Sequence, residues 1–144
     1  MVYAHRADIY DADTHMMEPP TWLAEFADAK LRPHLTPFGQ SKPAAIEKAE
    51  QALAGFAKRQ QNPDLAAEIE ASFMAMKHKG FQGLGAWDRD ERVRVNDLLG
   101  FSEHIELPTA AIDRIQGARS PEIFGGSVNG INREIASFCA TGAC

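Results

Sequence analysis

Near its N-terminus the chain carries Asp11, Asp13 and His15 at alternate positions, directly after the apolar pair Ile9-Tyr10 and shortly before Glu18 and two prolines. Side chains two apart on an extended segment point to the same side, so the carboxylate of Asp13 and the imidazole of His15 can converge on one divalent cation at the end of a short strand. An Asp-x-Asp-x-His string also reads as a polar strand end running into a turn.

Other reactive residues have plainer readings. Met74 and Met76 fit adaptable core filler on a helix, and His78 between two lysines fits a solvated helix end. The cluster from Asp88 to Arg92 reads as a solvated face with local ion pairs. His104 stands near the start of its strand, away from a site at strand C-termini, and is left outside the candidate set. Cys139 and Cys144 both fall at the chain's end and cannot frame the fold, so they read as a half-buried helix residue and a tail thiol. The glycines at 125, 126 and 130 read as a loop preceding a helix that starts near Ile131, and the Gly80–Gly85 run as a flexible loop, since neither matches a nucleotide-binding pattern.

The elements that position these residues follow from periodicity. A short helix from Pro19-Pro20-Thr21 carries Trp22, Leu23 and Phe26 on one face and ends by Arg32-Pro33. Two antiparallel helices fill residues 43 to 79, divided by Asn62-Pro63, with Ile46, Leu53, Phe56, Leu65, Ile69 and Phe73 inward. Asp88 with Glu91 opens a further helix that ends at Gly100, its Val95, Leu98 and Leu99 facing inward. In Glu103–Pro108, Ile105 and Leu107 alternate with polar residues, the pattern of a second strand. The last helix turns Ile131, Ile135, Phe138 and Cys139 inward. The order is strand, helical insertion, helix, strand, helix: an α/β chain.

With 144 residues the chain is one domain's worth of sequence. Fifteen basic against twenty acidic residues, a net charge of -5, speak against nucleic acid or an anionic membrane as partner. The N-terminus lacks a signal-peptide core and no apolar run reaches membrane-span length, so a cytoplasmic setting is the expectation.

Four segments together resemble the N-terminal part of the amidohydrolase-related family, in the branch of the amidohydrolase superfamily that includes aminocarboxymuconate-semialdehyde decarboxylase. They are Asp11-Ala12-Asp13-Thr14-His15 with Glu18-Pro19 and Trp22; Trp87-Asp88 with Arg92; Asp97-Leu98-Leu99-Gly100-Phe101; and Leu107-Pro108-Thr109, with Asn132-Arg133-Glu134 following. The resemblance spans residues 8 to 140 and implies the N-terminal part of a TIM (β/α)8 barrel, about two strands with a mainly helical insertion. On that reading residues 8–18 form the first strand and metal motif, 41–80 the insertion, and 88–142 a helix-strand-helix unit, all within one partial domain, 1–144.

The resemblance further implies a divalent metal, Zn²⁺ first and Mn²⁺ second, held by Asp13 and His15 as half of a mononuclear site, with Asp11 or Glu18 supporting them from behind. The activity implied is metal-dependent hydrolysis, or non-oxidative decarboxylation of an aromatic or unsaturated acid, on a small-molecule substrate. No catalytic residue is named, because the proton-transfer groups and remaining ligands of the family have no counterpart here. A barrel takes about 250 residues. The chain therefore reads as an N-terminal portion, inactive alone, that self-associates or meets a complementing chain. A non-catalytic interaction module is the alternative of another class.

Overall fold

The computed structural model describes residues 9–21, 25–34, 43–75, 83–140, 142 and 144. Trp22, Leu23, Met76, His78 and the first half of the Gly80–Gly85 run lie outside the described residues. Seven elements are described in order: β1 (Ile9–Met16), α1 (Pro43–Gln61), α2 (Pro63–Met74), α3 (Arg89–Leu99), β2 (Phe101–Pro108), α4 (Ala111–Gln116) and α5 (Pro121–Cys139). The two strands pair in parallel, joined by a connection that contains α1, α2 and α3. This is an α/β arrangement in which helix packing begins on one face of a two-stranded sheet.

The register carries the main departure from the sequence reading. Asp11 pairs with His104 and Thr14 with Glu106, so three steps along β1 match two along β2. The extra residue makes a bulge at Ala12-Asp13 that reverses the alternation. Ile9, Asp11, Thr14 and Met16 thus share the covered face with His104 and Glu106, while Tyr10, Asp13, His15 and Ile105 occupy the open face. The strand runs one residue past His15 to Met16, so Asp13 and His15 stand in its C-terminal half.

The covered face is unusual in being polar. Ile105 is 59 % exposed, whereas His104 and Glu106 are 8 % and 7 % exposed. Apolar burial on this face comes instead from Met16 and Phe138, with Val93, Ile135 and Cys144 packed around them. A second cluster joins Ala27, Leu31, Ala111, Ile115 and Ile131. It knits the segment after β1 to α4 and α5.

Helix caps explain the boundaries. Asn62 accepts from Leu65 N at 3.1 Å and Pro63 sits at the first turn, which separates α1 from α2 as the sequence indicates. The two helices contact each other, but α2 buries no residue fully and Leu53 is exposed, so the expected inward face is only partly covered. Asp88 accepts from Asp90 N and Glu91 N, and Gly100 closes α3 in the left-handed conformation. The Glu91 carboxylate does not reach back to Asp88. It accepts from Gly85 N and from Arg59 of α1, so the supposed solvated cluster is a joint between elements.

Three further readings are corrected. Residues 32–34 are helical, with Pro33 in a first turn rather than beyond a helix end. Ser120 caps α5 by accepting from Ile123 N, and the helix then runs through Gly125, Gly126 and Gly130 without a loop. A Cβ at Gly126 would meet the Cδ1 end of the Leu31 side chain, which would have to move aside. Finally, Cys139 and Cys144 are joined in a disulfide and are not free thiols. Among the described residues no helix is long and apolar enough to cross a membrane.

Candidate metal centre

The bulge leaves Asp13 and His15 on the same, open face of the sheet. His15 Nε2 lies 3.2 Å from Asp13 Oδ1, and His15 Nδ1 lies 3.2 Å from the carbonyl oxygen of Pro108 at the end of β2. A carbonyl only accepts, so Nδ1 carries the hydrogen and donates it. Nε2 is then either protonated and paired with the carboxylate, or bare with its lone pair facing anionic oxygen, an arrangement that a cation between them resolves. Two ligand atoms on a tetrahedral Zn²⁺ at about 2.0–2.1 Å stand roughly 3.3–3.4 Å apart, slightly more than the 3.2 Å seen, which is also an ordinary hydrogen-bond distance. A carboxylate and an imidazole are donor types that divalent ions accept, and both side chains, 44 % and 84 % exposed, are accessible to solvent.

Asp11 reaches this pair through the Asp13 backbone. Its Oδ1 accepts from Asp13 N at 2.9 Å, and its charge acts on Arg92, His104 and Glu106 of the covered face. It stiffens the bulge and balances the polar cluster beneath the sheet. Glu18, buried after β1, accepts from Ala110 N at 2.9 Å and Ala111 N at 3.1 Å. Both oxygens are thus engaged in holding the start of α4 against the end of β1, with Thr109 Oγ1 donating to Met16 O alongside.

Sequence reasoning missed the residue that ties the centre together. Arg92 is buried. Its Nε donates to Gly85 O at 2.7 Å, its Nη2 to His15 O at 2.7 Å, its Nη1 lies 3.5 Å from Glu106 Oε2, and its guanidinium stands 5.6 Å from the centre of the Phe138 ring. One side chain thereby links the loop before α3, both strands and α5, and fixes the backbone of His15. Burial pulls its proton affinity down, with Glu106 and Asp11 opposing. No family model, curated protein or solved structure matches the chain.

The cluster around Arg92 holds two further groups that sequence reading set aside. Burial pushes the Glu106 carboxyl up to about 7, against the pull of Arg92 and His15. Burial and then Arg92 push His104 down. Their contact, His104 Nε2 to Glu106 Oε2 at 3.0 Å, is therefore a hydrogen bond between a neutral imidazole and the carboxyl rather than an ion pair. The signal available in the sequence was the period-two pair His104 and Glu106, obscured because the intervening Ile105 looked like the buried side.

A cleft of about 230 Å³ opens elsewhere, between α1, α2 and α3, lined among others by Phe56, Leu84, Val95 and the ion pairs Arg59–Glu91 and Arg94–Glu70. It takes in none of the four predicted site residues.

Proposed function

We propose that this chain is the opening portion of a metal-dependent hydrolase barrel of the amidohydrolase-related type, with Asp13 and His15 supplying two ligands to a divalent ion, Zn²⁺ before Mn²⁺. The observation that carries the reading is the 3.2 Å approach of His15 Nε2 to Asp13 Oδ1 while Nδ1 is committed to Pro108 O. The ion would polarise a substrate oxygen or activate water. The chain's own residues orient the ligands: the Pro108 carbonyl fixes the imidazole tautomer, Arg92 holds the His15 backbone, and Glu18 anchors the turn that follows.

Support for the barrel comes from the sheet. Parallel strands are normally covered on both faces. Here Tyr10 and Ile105 are exposed on the face that bears Asp13 and His15. Further β/α units closing over that face would cover them and bring additional ligands. The same exposure favours a second reading, an interaction module whose open face is covered by a second copy or another chain.

The test is calorimetric titration of the oxidised 144-residue protein with Zn²⁺ and Mn²⁺, followed by assay on carboxylated phenols, amides and esters. Two protein ligands leave an ion mostly hydrated, so binding is expected to be weak, to disappear in His15→Ala, and to support no turnover by this chain alone. Unchanged Zn²⁺ binding in His15→Ala would sink the metal reading and leave the interaction module. In an enzyme completed by further barrel units, release of carbon dioxide rather than uptake of water would identify the decarboxylase alternative.

A further inference from the structure

The opposite face of the same sheet carries a second donor set, separate from Asp13 and His15. One ligand atom from each of His104, Glu106 and Cys144 lies within 4.8 Å of the others. The side chains of His104 and Glu106 are fully buried, and His104 Nδ1 and Glu106 Oε1 have no hydrogen-bond partner; nor does the nearby Thr14 Oγ1, whose strand position pairs with Glu106. A buried polar atom left unpaired costs about 1–3 kcal/mol, so three on one small patch need an explanation.

One His104 nitrogen is engaged by Glu106 and the other has no partner. Glu106 Oε2 receives both Arg92 Nη1 and His104 Nε2. Either imidazole nitrogen of His104 can turn a lone pair toward an ion, Nε2 by giving up its contact with Glu106 Oε2 and Nδ1 because it has no partner. The third donor is masked: Cys144 packs against Met16 and Phe138 and is bonded to Cys139. A disulfide sulfur is a poor ligand, whereas a thiolate is among the strongest for Zn²⁺.

We infer that reduction of the Cys139–Cys144 disulfide opens a buried Zn²⁺ site formed by His104, Glu106 and Cys144. A cellular dithiol gives up two electrons and two protons and becomes a disulfide. The Cys139–Cys144 bond breaks and two thiols form. On binding, the Cys144 thiol releases its proton to solvent and donates the thiolate pair to the ion. The surrounding charges suit this: a thiolate with the Glu106 and Asp11 carboxylates offsets a dication together with the Arg92 guanidinium. In the oxidised protein only His104 and Glu106 remain, and two buried donors do not offset the desolvation of a dication, so no zinc is expected there.

The experiment uses Co²⁺ as the spectroscopic probe and Zn²⁺ as its competitor on the 144-residue protein, with circular dichroism confirming the fold of each variant. Reduced protein, prepared with a phosphine, is expected to show the near-ultraviolet band of a thiolate-to-cobalt bond, and the oxidised protein none. Cys139→Ser frees Cys144 without any reductant and should show the band in air. Cys144→Ser should abolish it under both conditions, and His104→Gln should weaken Zn²⁺ binding about ten-fold or more. His15→Ala should leave the band unchanged, which separates this site from the one on the open face. A band that survives in Cys144→Ser, or its absence from both folded Cys139→Ser and folded reduced wild type, overturns the inference.

Discussion

Asp11 and Asp13 are two residues apart in β1, yet they stand on opposite faces of the sheet, because the bulge between Asp11 and Thr14 inserts one residue against β2. The Asp13 amide donates to Asp11 Oδ1 at 2.9 Å and holds the bulge in place. Asp13 is thereby delivered to His15, and Asp11 to the buried cluster of Arg92, His104 and Glu106.

The two aspartates should consequently separate in their effects. Asp13→Asn is expected to weaken Zn²⁺ binding by the oxidised protein about ten-fold with little change in melting temperature, since Asp13 is exposed. Asp11→Asn should lower stability by about 1 kcal/mol while leaving that affinity within about two-fold. Calorimetric titration and thermal unfolding measured on both variants decide it; equal losses of affinity would mean that the two carboxylates act on the same ion.

Glu18→Ala removes the acceptor for both Ala110 N and Ala111 N, the second of which belongs to a fully buried residue. The expected cost is about 1–3 kcal/mol in urea unfolding, with Glu18→Gln losing less because one carbonyl oxygen remains. A neutral Glu18→Ala would show that its carboxylate does not hold α4.

Arg92→Met leaves Glu106 buried without its cation and removes the donors to Gly85 O and His15 O. A loss of about 3–5 kcal/mol is expected. Because burial raises Glu106 to about 7, the loss should be smaller at pH 5.5, where that carboxyl is protonated, than at pH 8.5. Adding Glu106→Gln to Arg92→Met should recover part of the stability at pH 8.5. Strict additivity of the two changes in a double-mutant cycle would argue that they do not interact.

Glu134 gives the clearest pH dependence. Burial, then the charges of Glu18 and Glu25, push its carboxyl to about 8 from an ordinary 4.5, and its Oε2 has no partner. Between those two values the folded state holds a proton that the unfolded state has released, so stability falls as pH rises through the window and levels off above it. The full effect is on the order of 5 kcal/mol as an upper figure. Glu134→Gln should flatten the melting-temperature profile between pH 5 and 8 and raise its upper end. A profile in Glu134→Gln parallel to that of wild type would place the dependence elsewhere.

The sequence by itself determined whatever depends on neighbours along the chain. Asn62-Pro63 and Asp88 act through hydrogen bonds spanning two or three residues, and Gly100 through its own backbone, so α1 ends, α2 begins and α3 begins and ends where their residues indicate, whereas α2 stops at Met74, short of the expected residue 79. The two-residue spacing of Asp13 and His15 likewise puts both on one face once the segment is extended. Tertiary structure alone decided the rest. The bulge that turns Asp11 away arises from pairing with a strand about ninety residues on, and no local rule encodes it. His104 and Glu106 are buried, and Ile105 exposed, because Arg92 arrives from α3 to meet the Glu106 carboxylate. Gly125, Gly126 and Gly130 look like a loop, but the Ser120 cap starts α5 before them and Leu31 fills the space a Cβ at Gly126 would take. Polar burial is favourable only when its partners converge from distant segments, and that convergence is a property of the fold rather than of any stretch of the sequence.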